Sequence, residues 1–370
     1  MFRRTFAEID LNIIYLNYIE LRGLNRNKPI IPVIKADAYG HGGVRVFEFL
    51  HSKGIRKFAV ATLEEALELT RSNVFKEAEI IVFCPMEVRD LNILLEYPNL
   101  IPIVSEVSFI GELEKFAVSR GKSISFGLEI DTGMGRLGIH YRDADKLVDT
   151  IQGISVSKIT DIMTHFPSSD FDREFSLYQL SVFDEILSSL KKIVPNVATH
   201  VSNSGGVLNI PEASKYDFAR CGLSIYGYYP NMNLKDKAVI RNSITLKSYI
   251  ALKKFFRKGE SISYNRTYFL KEDGYIGVVP CGYADGIPTL FSNNMEVIIN
   301  SRRYRVVGRI TMDYFMVSID SSVNVGDEVI VFGGSEEGSI RVEDFAYRVG
   351  LIPYEITCGI SKRVPRIYKV

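Results

Sequence analysis

Lys35 closes a short apolar run, Ile30-Ile-Pro-Val-Ile-Lys35, and leads at once into Ala-Asp-Ala-Tyr-Gly-His-Gly42. A lysine reaching into solvent from a strand end is ordinary. One held in a partly desolvated site loses affinity for its proton and becomes an amine nucleophile suited to Schiff-base chemistry. Further groups follow apolar runs in the same way: Glu129-Ile-Asp-Thr-Gly-Met-Gly-Arg136, His165-Phe-Pro, His200 with Asn203-Ser-Gly-Gly206, and Arg220-Cys-Gly222. Their glycines allow backbone N–H groups to approach an anion, and Ser204 adds a hydroxyl, so a phosphate is a suitable occupant. A nucleophilic lysine beside a phosphate cradle, with no metal motif, points to pyridoxal phosphate. The solvated strand-end lysine stands as the alternative.

The elements that must position these groups recur at regular intervals. Short β-branched runs lie at Ile30–Lys35, Phe58–Thr62, Ile80–Cys84, Ile101–Ser105, Ile124–Ile130, Ile159–Thr164, Val197–Ser202 and Asp217–Arg220. Stretches of helical periodicity separate them, such as Leu63–Thr70 and Glu174–Ile193. Strand-helix alternation predicts parallel pairing with crossover helices. Eight such units predict a closed (β/α)8 barrel over residues 1–229, whose active groups would sit at the carboxyl ends of the strands. An open doubly wound sheet is the competing architecture, weakened by the lack of a GxGxxG after any early strand.

After Tyr229 the texture changes. Pro230–Asp236 reads as a linker, and residues 237–370 carry strand-like runs at Ile244–Phe255, Tyr275–Pro280, Glu296–Ile310, Phe315–Ile319 and Glu328–Phe332. One helical stretch, Val342–Val349, interrupts them. A mostly β second domain is expected.

Composition narrows the function. With 45 Lys+Arg against 44 Asp+Glu, the net charge of +1 gives no basic footprint for nucleic acid and no charge-based argument for a membrane surface. No uncharged apolar run approaches the ~20 residues of a membrane span. Glu8, Asp10 and Asn12 interrupt any apolar stretch near the start, so no secretory signal is read there. The four cysteines, Cys84, Cys221, Cys281 and Cys358, are far apart and suggest neither a zinc ribbon nor a disulfide framework. The expectation is a cytoplasmic enzyme.

The chain resembles the alanine racemase family. The likeness rests on Val33-Ile-Lys-Ala-Asp-Ala-Tyr-Gly-His-Gly42, Asp131-Thr-Gly-Met-Gly-Arg-Leu-Gly138, Asn203-Ser204, Arg220-Cys-Gly222 and Ser263-Tyr264. It continues through Gly282-Tyr-Ala-Asp-Gly286, Gly308-Arg-Ile-Thr-Met-Asp313, Pro353-Tyr354 and Arg363-Val-Pro-Arg366, in order along essentially the whole chain. The resemblance implies a barrel plus C-terminal β domain, pyridoxal 5'-phosphate as cofactor, and a homodimer with shared active sites supplying D-alanine for bacterial peptidoglycan.

Roles carry over residue by residue. Lys35 would bear the cofactor and remove the α-proton of D-alanine; Tyr264, from the partner subunit, would do so for L-alanine. Racemisation needs a proton donor and acceptor on each face of a planar carbanion, so two bases must oppose one another. An ordinary tyrosine holds its proton to about pH 10 and needs help, which His165, linked to Arg220, would give. Arg220 would face the pyridine nitrogen; a guanidinium only donates, so it disfavours protonation there and restrains side reactions. Tyr39, Asn203, Ser204, the Gly222 backbone and Tyr354 would complete the cofactor site. Arg136 and the Met312 N–H would bind the substrate carboxylate. Tyr264, Tyr283, Tyr354, Arg309 and Ile352 would crowd the entrance in favour of small amino acids.

Two positions depart from the family pattern. A lysine that is carbamylated in many members is Glu129 here, and a glutamate already carries the carboxylate that would orient Arg136. Thr311 stands where a cysteine is common. Other readings are a serine or broad-specificity racemase, against which Tyr354 speaks; a non-catalytic pyridoxal-phosphate carrier, against which residues 237–370 speak; and a decarboxylase, which would want an acid in place of Arg220.

Overall fold

The apolar runs become strands. A computed structural model describes residues 5–334 and 339–370; the Met1–Arg4 part of the opening stretch lies outside them. The first strand, β1 (Phe6–Asp10), is followed by helix α1 (Leu11–Leu24), capped by Asp10, whose Oδ1 accepts from the N–H of Ile13 at 3.0 Å. Eight strands then form the barrel: β2 (Ile30–Pro32), β3 (Lys57–Val60), β4 (Glu79–Val82), β5 (Leu100–Val104), β6 (Ser125–Asp131), β7 (Lys158–Met163), β8 (Ala198–His200) and β9 (Ala219–Cys221). Every pairing is parallel, and β9 pairs with β2 to return the ring to its start. Single bridges, Val33 to Ala59 and His200 to Phe218, join the short strands at the seam. The closed barrel holds, and the open sheet does not.

Outer helices fill the crossovers: α2 (Gly43–Ser52), α3 (Leu63–Glu68), α4 (Leu91–Glu96), α5 (Val107–Arg120), α6 (Ala144–Gln152), α7 (Arg173–Leu190) and α8 (Ser204–Asn209). The eighth place is taken by α1, which packs on β2, on α8 and on the 3-10 turn Leu223–Tyr226. Inside the ring, Ile31, Val33, Ala59, Ile81, Ile101, Ile103 and Met163 form a separate apolar cluster. The other side of the interior is polar, with buried Asp161, His200 and Arg220.

One loop between barrel elements shows how a charge can replace a core. Glu114 of α5 accepts from the N–H groups of Ser155, Val156 and Ser157 at 2.8–2.9 Å and from the Ser155 hydroxyl at 2.9 Å. Partial burial works against its charge, yet the Ser155 and neighbouring donors pull its pKa from the ordinary 4.5 to about 2. A depressed carboxylate contributes stability above its unfolded pKa and loses it as pH falls toward the folded one. Glu114→Gln should therefore cost about 2 kcal/mol at pH 7, the worth of a hydrogen-bonded charge. Thermal melts of the two proteins should converge as pH drops below 4.5. A gap that stays constant with pH would remove the charge from the explanation.

The second domain is a nine-stranded sheet. Its own strands are β10 (Ile244–Tyr249), β11 (Leu252–Phe256), β12 (Gly274–Val279), β13 (Glu296–Ile299), β14 (Arg302–Val307), β15 (Phe315–Ile319), β16 (Glu328–Phe332) and β17 (Arg366–Lys369). The order is β11-β12-β15-β14-β13-β16-β10-β1-β17. Two expected single strands are split: Ile244–Phe255 turns at Ile250–Ala251, and Glu296–Ile310 turns at Asn300 and Ser301, both at positive φ. The helical stretch after Val342 is a short helix α9 (Glu343–Ala346) with a 3-10 turn.

The expectation that residues 1–229 form the barrel needs one correction. β1 lies in the second domain's sheet, antiparallel to β10 and parallel to β17. The reason is visible in its alternation: Ala7 and Ile9 are fully buried, while Glu8 pairs with Lys247 at 3.5 Å and Lys369 at 2.7 Å across the sheet. The chain thus ties its two domains together at both ends. Among the described residues no helix is long and apolar enough to cross a membrane.

Candidate active site

Lys35 follows β2 at the carboxyl rim of the barrel and opens an unusual turn. Ala36, Asp37, Ala38 and Tyr39 all have φ between 52° and 55°, a left-handed run containing no glycine. Each such residue costs roughly 1–2 kcal/mol, so the surroundings must impose it. Glu65 of α3 does much of this: its Oε1 accepts from the N–H of Ala36 at 2.7 Å, and Oε2 from Ala61 at 2.7 Å and Thr62 at 3.3 Å. Asp37 Oδ1 accepts from Gly43 at 2.6 Å. Gly40 completes the turn against helix α10 (Pro353–Cys358), where a Cβ would lie 2.0 Å from the Thr357 carbonyl oxygen. A barrel loop is thereby locked to the second domain. Burial first, and the Arg136 charge second, lower the Lys35 pKa below its ordinary 10.5, as a nucleophilic amine requires.

Arg220 lies in β9 and is 3% exposed. Its Nη1 donates to His200 Nδ1 at 2.8 Å and to the His200 carbonyl at 2.6 Å. Its Nη2 donates to the Thr164 carbonyl at 2.7 Å, His165 Nδ1 at 3.1 Å and the Val201 carbonyl at 3.2 Å. Its Nε–H has no acceptor among the described residues. Burial brings the Arg220 pKa to about 10, so the group stays cationic near neutrality. Burial, then Arg220, Arg136 and Lys35, hold His165 well below the usual histidine range; it is a neutral ring.

Next to this, backbone N–H and hydroxyl groups gather at the start of α8 and at the Gly222 turn. Asn203 caps α8 by accepting from the Gly206 N–H at 2.9 Å and is itself held by Ser169, 2.8 Å away. Ser204, the first residue of that helix, is buried, and its hydroxyl meets the N–H of Ser224 at 3.3 Å. The N–H groups of Gly222 and Leu223 have no acceptor among the described residues. Tyr39 sits so close to Gly222 that a Cβ there would be 2.4 Å from the Tyr39 hydroxyl. Tyr354 of α10 stands edge-on to Tyr39, with ring centroids 6.1 Å apart. Unpaired N–H groups at Gly222 and Leu223, the Ser204 hydroxyl and the adjoining Tyr39 and Tyr354 side chains are donors of the kind a phosphate monoester takes; the amine of Lys35 and the unpaired Nε–H of Arg220 suit a pyridoxal ring. The residues present fit the cofactor that the resemblance implies.

Arg136 is delivered by a loop folded on Asp131, whose Oδ1 accepts from Gly133, Met134 and Gly135 at 2.8–3.1 Å. Glu129, 3% exposed, makes no ion pair with Arg136. The expected contact is replaced by a looser coupling: burial raises the Glu129 pKa, while Arg220 first and Arg136 second oppose the rise. The larger partner is thus Arg220, because both side chains point into the barrel while Arg136 sits on an exposed loop.

Tyr264 and Met312 lie elsewhere. Both are on the second domain, 69% and 51% exposed, and no bond among the described residues links them to Lys35 or Arg220 of the same chain. Tyr283 and Tyr314, which adjoin Met312 through the Thr311 turn, are also exposed, as are Leu290 and Ile352; exposed aromatic and apolar side chains of this kind are what an interface covers. Arg309 anchors the same region by accepting, through its carbonyl, the Ser263 hydroxyl at 2.6 Å. Thr311 closes the neighbouring turn through Tyr314.

Three contributors escaped the reading of the sequence. Glu65 was visible as part of a Thr62-Leu-Glu-Glu65 capping box, but its reach to Ala36 was not. Cys358 falls beside Lys35 through the fold of α10. Asp161, a lone charge inside the apolar run Ile159–Met163, is fully buried against His200.

Comparison with known proteins follows the same outline. Residues 9–230 match the family described as alanine racemase, N-terminal domain, and residues 243–368 match alanine racemase, C-terminal domain. The alanine racemase of Carboxydothermus hydrogenoformans is 35% identical over 371 residues, covering 99% of this chain and all of that one. A solved alanine racemase from D-cycloserine-producing Streptomyces lavendulae superposes with a TM-score of 0.93 at 30% identity, covering 100% of this chain and 98% of that one. Another from Bacillus anthracis, solved with bound L-Ala-P, gives 0.90 at 31% identity, covering 100% and 96%.

Proposed function

This chain belongs to the alanine racemase family, and on that premise we propose that it is a pyridoxal 5'-phosphate-dependent homodimer interconverting L- and D-alanine. We place it in the cytoplasm, supplying D-alanine for peptidoglycan. The observation that carries the reading is the rim itself: Lys35 and Arg220 lie at the carboxyl ends of the barrel strands beside the Ser204, Gly222, Tyr39 and Tyr354 group, and together they leave unpaired the donors a pyridoxal phosphate would take.

Lys35, Tyr39, His165, Asn203, Ser204, Arg220, Gly222 and Tyr354 would hold the cofactor. When bound, pyridoxal phosphate supplies a carbonyl for the amino group and a conjugated ring that delocalises the electrons left when Cα loses its proton. The chain does the rest. Lys35, its pKa lowered, takes or returns the proton at Cα on one face. Tyr264 of the partner subunit does so on the other. Arg220 donates to His165 Nδ1, so the ring's hydrogen sits on Nε2, where it can donate to a phenolate oxygen. Arg136 and the Met312 N–H of the partner subunit hold the carboxylate, and the aromatic entrance excludes bulk.

Glu129 would support Arg136 and Arg220 by its charge without carbamylation. Glu129→Gln should raise KM for alanine by about fivefold, the size of a ~1 kcal/mol interaction, and added bicarbonate should leave the unsubstituted protein's rate unchanged. An unaltered KM would sink this role.

The decisive test is the optical rotation of L-alanine incubated with purified protein and pyridoxal phosphate, with L-serine in parallel. Rotation should decay to zero without loss of total alanine, and serine should lag well behind. Persistent rotation in a protein that visibly binds the cofactor would refute the activity and keep the cofactor.

A further inference from the structure

We propose that Lys57 and Asp161 are positioning residues for Arg220, acting through the tautomer of His200 from the opposite end of the barrel. The inference rests on the reading that Arg220 faces the cofactor ring.

The line can be followed atom by atom. A guanidinium only donates, so the 2.8 Å contact from Arg220 Nη1 makes His200 Nδ1 the bare, accepting nitrogen. The ring proton then sits on Nε2, which donates to Asp161 Oδ1 at 3.1 Å. Asp161 is wholly buried, and a carboxylate there needs a counter-charge. Lys57 supplies it: Nζ lies 2.6 Å from the same Oδ1. Burial opposes the charge on Asp161, but the His200 hydrogen bond and Lys57 hold its pKa far down, while burial lowers that of His200 to about 4. A carboxylate and a neutral imidazole follow.

The geometry spans the barrel. Lys57 is the first residue of β3, at the amino ends of the strands, where it touches Glu79 at 3.1 Å, rides over the Phe218 ring at 5.5 Å and edges a cavity of about 580 Å³. Asp161 lies in the middle of β7, His200 at the end of β8, and Arg220 in β9. The opposite half of the same interior is filled by Ile31, Ala59, Ile81, Ile101 and Ile103. A buried ionic row is no better for stability than such aliphatics, so packing alone does not account for it. Direction does: each donor in the row fixes the next acceptor. If Asp161 loses Lys57 it takes up a proton, donates to His200 Nε2, and drives the ring hydrogen to Nδ1, facing the N–H of Arg220. Arg220 must then turn away.

The experiment has two readouts. The chain has five histidines, so 15N-histidine NMR of the cofactor-free protein can resolve the tautomer of His200. We expect Nε2–H in the unsubstituted protein and a change to Nδ1–H in Lys57→Met. In the pyridoxal-phosphate-loaded protein, Lys57→Met should shift the visible absorbance maximum. It should also lower kcat about 10-fold to 100-fold, the loss typical when the partner that orients a metal-bound histidine is removed, with KM within about twofold. Lys57→Arg should restore both. An Nδ1–H tautomer in the unsubstituted protein overturns the proposal without any variant, and so does a Lys57→Met protein with unchanged tautomer and spectrum. If instead Arg220→Lys leaves the cofactor spectrum untouched, the placement of Arg220 fails, while the NMR result still decides the Lys57–Asp161–His200 row.

Discussion

Lys35→Ala should remove both the covalent hold on the cofactor and the activity. Racemisation in either direction is expected to fall by on the order of 10⁴-fold or more, as when a catalytic group that works as part of a unit is deleted. The visible absorbance of lysine-bound pyridoxal phosphate should vanish, leaving at most the spectrum of free cofactor held through Ser204, Gly222, Tyr39 and Tyr354. The reason is local. The left-handed turn Ala36–Tyr39, clamped by Glu65 and Asp37, fixes the backbone that follows Lys35, and burial together with Arg136 lowers that amine's proton affinity. For a lysine acting as base, the neutral form is the active one. The rate of the unsubstituted protein should therefore rise with pH along a limb lying below the ordinary lysine value of 10.5. Borohydride reduction followed by peptide mapping checks the assignment: the cofactor should remain on the Lys35 peptide. Recovery of label on any other lysine, or a Lys35→Ala protein that keeps the absorbance, would show that another amine does this work.

How much of this the sequence makes legible depends on the range of the interaction. Each barrel strand announced itself locally, because a parallel strand buried on both faces must be a β-branched apolar run. Residues just past those runs, Lys35, Arg136, His165, Ser204 and Arg220, were legible as a set for the same reason. Long-range pairing was not. Phe6–Asp10 is only five residues of alternation, and nothing in it names Ile244–Tyr249 or Arg366–Lys369 as neighbours. The break at Asn300-Ser301 had a signal, an Asn that tolerates positive φ between two β-branched runs. Asp161 and Lys57 were harder still: a charged residue in a barrel strand looks outward-facing until the strand's phase is known, and a shift of one residue reverses it. The expected Glu129–Arg136 contact failed on phase as well, since Glu129 points inward with Arg220 while Arg136 rides on an exposed loop.

The second large effect separates the two faces of the substrate. Tyr264→Phe should suppress α-proton exchange from L-alanine by on the order of 10²–10⁴-fold, the usual worth of a positioned acid–base group, and leave exchange from D-alanine, assigned to Lys35, far less affected. Net racemisation must fall equally in both directions because the overall equilibrium is fixed, so the measurement is deuterium uptake from D₂O by each enantiomer at early times. Tyr264 stands on a projecting loop in which Ser263, Asn265 and Arg266 all have positive φ, beside the exposed Tyr283, Tyr314 and Met312. Phenylalanine keeps the ring that such a patch would bury and removes only the hydroxyl. Dimer formation and the cofactor spectrum should thus be unchanged in the variant. The same reasoning requires activity to disappear on dilution below the dimer's dissociation constant, since among the described residues no hydrogen bond joins Tyr264 to Lys35 or Arg220 of its own chain. A fully active monomer would remove Tyr264 from the reaction, and unchanged exchange from L-alanine in the variant would leave Lys35 as the sole base.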